Sequence, residues 1–176
     1  GGGGPIIIDP NAPPSRRNGL GDVFLSAGYT AIHEDVAGVN LDLGASVKVP
    51  TASQEDGLGT GEVDYSVSAE VSKTFGDLIP FVSVGYRVPG EPAGIELNSA
   101  ISASVGATMI VGSNVVILSY DYRESSSALA DDAQDIFGAF SAPWGDDLNW
   151  TVYGSAGLSE GSPDFGVGLM LSLDVG

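Results

Sequence analysis

The sequence predicts an all-β chain, an antiparallel up-and-down transmembrane β-barrel with about 8–10 strands. Three observations carry that expectation. Apolar and polar residues alternate strictly in segment after segment, as in Val39-Asn-Leu-Asp-Leu-Gly-Ala-Ser-Val-Lys-Val49. Side chains alternate across a strand, so each such segment has one apolar and one wet face. The segments run to about ten residues, above the usual strand of roughly five or six and matched to the 9–11 tilted residues that cross a bilayer. Short turns alternate with longer loops, the arrangement of a barrel with one short-turn rim and one long-loop rim.

Composition agrees. The chain has 176 residues and 43% hydrophobic content, enough for one sizeable folded domain despite 26 glycines. No apolar run approaches the roughly 20 residues of a membrane helix, so membrane residence would require a closed barrel whose backbone groups are satisfied between strands. Two regions are expected: a Gly/Pro-rich N-terminal segment at 1–18 and the barrel domain at 19–176. The chain opens on Gly1-Gly2-Gly3-Gly4-Pro5 without an initiator Met, which reads as a mature or trimmed chain. Ile6, Ile7 and Ile8 suit a short edge or plug, and Pro13-Pro14 with Arg16-Arg17 suits a linker.

The elements follow in order. The first strand covers about 21–33, with Val23, Leu25, Ala27, Tyr29 and Ala31 on one face. The second covers about 37–49, after a short turn at Glu34-Asp35. Pro50 and the glycines of 57–61 mark a longer loop. The third strand, about 62–75, sets Val63, Tyr65, Val67, Ala69 and Val71 against Glu62, Asp64, Ser66, Ser68, Glu70 and Ser72, and Gly76-Asp77 closes a tight hairpin. The fourth lies at about 79–88, and Pro89 begins the next loop. The fifth, about 95–109, opposes Ile95, Leu97, Ile101, Ala103 and Val105 to Glu96, Asn98, Ser102 and Ser104. Gly112-Ser113-Asn114 turns into the sixth, about 115–124. A polar loop at 125–132 precedes the seventh, about 133–142, whose alternation is the weakest. The eighth lies at about 147–158 and the last at about 164–175, where Phe165, Val167, Leu169, Leu171, Leu173 and Val175 share a face. No helical period competes with this pattern. Tyr29, Phe75, Tyr86, Tyr120, Tyr122, Trp144, Trp150 and Phe165 fall near strand ends, where interfacial aromatic girdles belong.

Charge and residue inventory exclude several functions. The formal net charge is −17, and six basic residues cannot build a phosphate-binding surface, so nucleic acid is not an expected partner. With no cysteine, disulfides, thiolate metal sites and cysteine nucleophiles are out. The lone His33 has no second histidine for a zinc site and reads as a solvated turn residue. Asp56, Glu62 and Asp64, and again Asp131, Asp132 and Asp135, are weak calcium candidates without EF-hand spacing. No Gly-x-Ser-x-Gly elbow is present and no glycine-rich turn leads into a Lys-Ser/Thr helix. The expectation is no enzyme, no catalytic residue, no metal and no cofactor.

The residues that do point to function are polar and inward on this alternation: Asn40, Asp42, Lys48, Glu62, Asp64, Glu70, Arg87, Glu96, Asn98, Asp121, Arg123 and Asp174. They are the expected pore-lining set. Acidic groups dominate, so an open lumen would favour cations. In a narrow barrel the same charges pair across the interior, with Arg87 and Arg123 neutralising Glu70, Glu96 and Asp121, and fill it. The small inward residues Ser66, Ser68, Ser102, Ser104 and Gly106 argue for some free space.

Three pieces carry a family resemblance: Gly19-Leu-Gly-Asp-Val23; Lys48-Val-Pro-Thr51 followed by Gly57-Leu-Gly-Thr-Gly61 and Asp64; and Gly157-Leu-Ser-Glu-Gly-Ser-Pro-Asp-Phe-Gly-Val-Gly168. In order and spacing they resemble the outer-membrane barrel family of the meta-pathway of phenol degradation (Phenol_MetA_deg), whose members are called transporters. The resemblance spans about residues 19–176. It implies a bacterial outer-membrane channel or transporter for small solutes, hydrophobic or aromatic ones among them. Outer-membrane lipid and small solutes are then the partners, with a homo-oligomer open. Family members carry more strand sequence ahead of the Gly-Leu-Gly-Asp element and outer-membrane barrels commonly end on an aromatic; here a Gly/Pro-rich stub and Asp-Val-Gly stand in those places. Two other readings stay open on the residues alone: a filled structural barrel acting as anchor, adhesin or assembly subunit, and a soluble secreted β-sandwich binding calcium or sugar.

Overall fold

The computed structural model of the chain describes residues 21–52, 60–92, 96–145 and 147–173. The expected N-terminal segment at 1–18, Asp56 with most of the glycine-rich loop, Ile95, and Asp174 lie outside the described residues. Within them the chain is all-β: β1 (Val23–Ile32), β2 (Asn40–Val49), β3 (Asp64–Ser72), β4 (Leu78–Val88), β5 (Ala100–Val111), β6 (Asn114–Arg123), β7 (Ala133–Trp144), β8 (Leu148–Gly157) and β9 (Phe165–Leu173). They form one antiparallel sheet in sequence order, each strand beside the next. β1 and β9 do not pair with each other, so the sheet is open, and the closed ring that the sequence predicts is not formed among the described residues.

One parity runs through every pairing. Leu25 faces Val47, Ala45 faces Val67, Val67 faces Tyr86, Val84 faces Ala103, Val105 faces Tyr120, Leu118 faces Gly138, Phe140 faces Val152 and Val152 faces Leu169. A one-residue slip anywhere would move a whole strand's apolar set to the other side, so the shared register yields a continuous apolar face nine strands wide. The wet face is equally continuous, as in Ser26–Ser46–Ser66 and Gly85–Ser102–Arg123. A bulge between Thr30 and Ile32 is the one break in the β1–β2 register.

Exposure is inverted relative to a water-soluble core. The apolar face is open: Leu25 is 62% exposed, Leu118 60% and Leu169 64%. Lys48, Asp64, Ser119 and Asp135 are buried, all on or beside the wet face, whereas no large side chain is fully buried among the described residues. A single sheet has no second layer to make a hydrophobic core. The polar face is therefore the less exposed of the two.

Short connections at 33–39, 73–77, 112–113 and 145–147 share one rim; the longer ones at 50–63, 89–99, 124–132 and 158–164 share the other. Gly76, Gly112 and Gly145 take positive φ in three of the short turns, the conformation that tight hairpins demand. The remaining short connection holds a one-turn helix, α1 (Glu34–Ala37), where the sequence reads only a turn; the Gly38 N–H closes it on the Glu34 carbonyl at 2.7 Å. Two strand limits also differ from expectation. β5 begins at Ala100, not near 95, because the Asn98 N–H donates to the Ser126 carbonyl at 2.8 Å and ties that segment to the β6–β7 loop. β7, the weakest segment by alternation, is 12 residues long and paired on both sides. Its neighbours supply the ladder that Gly138, Ala139, Ala142 and Pro143 advertise poorly.

Candidate functional site on the polar face

The polar face divides along the strands. Nearest the long-loop rim lies a ladder of charges. Asp22, just ahead of β1, meets Lys48 of β2 at 3.6 Å; Lys48 meets Asp64 of β3 at 3.1 Å; Asp64 meets Arg87 of β4 at 2.8 Å. Lys48 also donates to Thr60 Oγ1 at 2.9 Å, and the Gly90 N–H donates to Asp64 at 3.1 Å. Lys48 and Asp64 are opposite each other in the β2–β3 register, which sets two long side chains of opposite charge on one row. A second pair, Arg123 of β6 to Asp135 of β7 at 2.5 Å, lies on the same rim. The ladder skips β5, whose residue at this level is the buried Ala100.

The middle of the face is small and hydroxylated. Ser26 donates to Ser46 at 3.0 Å, and Ser66, Ser68, Ser83, Ser102 and Ser104 continue the row. Asp121 accepts from the Ser104 and Ser119 hydroxyls. Asp42 and Glu70 stand opposite each other on β2 and β3, with Thr30 donating to Asp42 at 2.5 Å. Asn40 accepts from the Glu34 N–H at 2.9 Å and anchors the one-turn helix.

Toward the short-turn rim of β4–β9 the same face turns apolar. Phe81 lies across Gly106: a β-carbon there would stand 2.7 Å from the Phe81 ring. Tyr153 covers Gly168 in the same way, and the Phe137 and Tyr153 rings are 6.2 Å apart. Ile79, Ile117 and Met170 share this face in the register. An aromatic ring laid over a cross-strand glycine is a device for filling the gap that glycine leaves in a sheet.

Of the sequence-predicted set, Asn40, Asp42, Lys48, Asp64, Glu70, Arg87, Asp121 and Arg123 all fall on the polar face. Glu62, Glu96 and Asn98 lie in loops beside the long-loop rim, not in strands, and Asp174 lies outside the described residues. The expected neutralisation also differs. Arg87 pairs with Asp64, not with Glu70 or Glu96, and Arg123 pairs with Asp135, not with Asp121. Register decides this: Arg87 is opposite Ser66 and Arg123 opposite Ala133, so each arginine reaches a carboxylate diagonally on the neighbouring strand, and Asp121 is occupied by two serines. Gly106, read as free space, is filled by Phe81. Asp22 and Asp135 were missed as partners, although each has the wet-face parity of its strand, and so was the aromatic group of Phe81, Phe137 and Tyr153. Among the described residues no group of three or more His, Cys, Asp or Glu is arranged to hold a metal ion, and no helix is long and apolar enough to cross a membrane.

In the loop beyond the charge ladder, Asp132 accepts from the Ser125 N–H at 2.8 Å and from the Tyr122 hydroxyl at 2.7 Å. The Ser125 backbone bond foremost, then the Tyr122 bond, hold its carboxyl below the ordinary carboxylate range.

Comparison with known protein families and with curated proteins gives no match to this chain.

Proposed function

We propose that this chain forms the wall of a bacterial outer-membrane β-barrel that passes small solutes along its polar face. The observation that carries the reading is the inversion: a continuous, exposed apolar face across nine strands, with ion pairs and serines on the enclosed side. In water such a face would be a patch far beyond the few hundred Å² that soluble monomers expose. Against lipid tails it is the expected exterior. Strand lengths of 9–12 residues suit a tilted crossing. The aromatics of that face also sort by height. Tyr65, Tyr86, Tyr120, Tyr122 and Phe165 lie toward the long-loop rim and Tyr29, Phe140, Trp144 and Trp150 toward the short-turn rim, with aliphatic and small residues between. Two such belts fit the two interfaces of a bilayer. The resemblance to the phenol meta-pathway barrel family points the same way.

On this reading Asn40, Asp42, Lys48, Asp64, Glu70, Arg87, Asp121 and Arg123 line the lumen. Lys48 and Asp64 serve mainly as a structural brace, since both are buried in ion pairs. Closure needs partners for the two open edges. β1 and β9 both run from the long-loop rim to the short-turn rim, so direct pairing between them would be parallel. All-antiparallel closure, the bacterial rule, takes an odd number of further strands running the other way. Those same open edges favour a second reading, in which the chain is an assembly subunit that adds strands from another chain. Single-channel conductance in a planar bilayer under a salt gradient separates the two. The channel reading expects stable, cation-selective steps from the acidic lumen. Insertion without conductance would move the weight to the assembly subunit.

A further inference from the structure

We propose that the gap in the charge ladder at β5 is a binding site for the carboxylate of a small organic anion. The proposal takes the polar face as the lumen. Along the long-loop rim the charges alternate: Asp22, Lys48, Asp64 and Arg87 from one side, then Asp135 and Arg123 from the other. Both runs end on an arginine, and the two arginines flank β5, where Arg87 pairs with Ala100 and Arg123 with Ser102. Both arginines line one space over β5, Arg87 level with Ala100 and Arg123 level with Ser102, where the sheet itself holds no charge. A single negative group there completes the alternation.

The space exists. A cavity of about 240 Å³ opens between the arginines, floored by Ala100 and Ser102 and walled by Ser66 and Ser68. It is smaller than the roughly 300–1,000 Å³ pockets that take drug-sized ligands, and suits a molecule of a few heavy atoms. Each guanidinium is held from behind by one nitrogen, Nη2, on a buried carboxylate, while the side chains stay 47% and 58% exposed. The rest of each planar fork is free to receive a carboxylate in the two-point geometry that arginine favours, and the serine hydroxyls can donate to the lone pairs left on its two oxygens. Glu124 also lines the cavity. Its carboxylate accepts from the Ile101 N–H at 3.0 Å and makes no ion pair with either arginine. Its charge opposes a dianion more than a monoanion, which selects a monocarboxylate over hydrogen phosphate. In a chain of net charge −17 this slot is where an anionic solute could pause on an otherwise cation-favouring wall.

The test is titration of the full chain, folded in detergent micelles, with sodium propionate, neutral propionamide and inorganic phosphate, read by calorimetry and by the arginine side-chain NMR signals. Saturable propionate binding that shifts both arginine signals, without propionamide binding, is expected. Arg87→Gln should weaken it at least tenfold; that variant leaves Asp64 paired with Lys48 and so keeps the fold. Ser102→Leu, which fills the cavity and leaves both arginine pairs in place, should do the same. Absence of saturable propionate binding, equal binding of propionamide, tighter binding of phosphate, or wild-type affinity in either variant would overturn the site. Conductance of the same preparation keeps the two readings apart: current without propionate binding removes the site alone, and binding without current removes the channel alone.

Discussion

The two faces of this sheet obey different rules. On the apolar face every mid-strand position is aliphatic, aromatic or small, and hardly any of these side chains has a specific partner beyond its row. On the polar face the composition passes through three zones between the rims, and nearly every charged group in a strand has a named partner. On the proposed reading the apolar face meets hydrocarbon, which imposes one condition everywhere, the absence of polar groups. An enclosed polar surface imposes local conditions, since each buried charge needs its own counter-charge or hydrogen bond. The first rule can be read position by position; the second depends on which residues end up level with each other.

Substitutions sharpen the contrast. The largest effect is expected for Leu118→Arg, mid-strand on the apolar face, which should lower folding stability in lipid by up to ~4 kcal/mol, while Ser68→Arg on the other face costs little. Equal losses in urea titrations of the two variants would break the distinction between the faces. Next, Asp64→Ala removes the carboxylate shared by Lys48 and Arg87 and leaves a buried ammonium whose one remaining carboxylate is Asp22 at 3.6 Å, beside the neutral Thr60 hydroxyl at 2.9 Å. A loss of about 3 kcal/mol is expected, the scale for breaking one partner out of a buried pair. If the same assay shows less than ~1 kcal/mol, the scale of an exposed pair, the ladder is not a brace.

Gly106→Val should displace the Phe81 ring and press on the Leu118 carbonyl, 2.5 Å from the new β-carbon, at a cost of about 2–3 kcal/mol typical of overpacking, and, on the proposed reading, change conductance by moving an aromatic side chain within the lumen. Unchanged stability and current would place that ring elsewhere. The smallest effect is expected in the β6–β7 loop. Because the Asp132 carboxyl is lowered in the folded chain, its contribution is complete above the ordinary carboxylate range and is lost as pH falls through its folded value. The protection factor of the Ser125 amide, with the intrinsic pH dependence of exchange divided out, should fall on that descent and stay flat above it; a protection factor that falls on raising the pH would contradict the assignment.

Much of the fold was legible in the residues. Alternation located all nine strands and assigned the faces of most of them, the seventh excepted, and turn chemistry placed the rims. What was lost follows the second rule. Ile95 to Asn98 continues the alternation of β5, yet that stretch bonds to the neighbouring loop through Asn98. Pairing of Arg87 with Asp64 depends on a register that alternation leaves free by steps of two residues. Phe81 over Gly106 is a contact between strands, and neither residue announces it alone. Of the candidate site, the charged residues on β2–β6 were mostly legible, whereas their partners and the aromatic group were not.

The central claim is that one face meets lipid and the other meets water. The chain contains no cysteine, so single cysteines can be placed along β3 from position 65 to 72 and labelled with nitroxide in bilayers. Collisions with oxygen, which concentrates in hydrocarbon, and with a water-soluble nickel chelate then report each position. The account predicts oxygen maxima at Tyr65, Val67, Ala69 and Val71 and nickel maxima at Ser66, Ser68, Glu70 and Ser72. Nickel access at every position, or no two-residue period in either reagent, would contradict it.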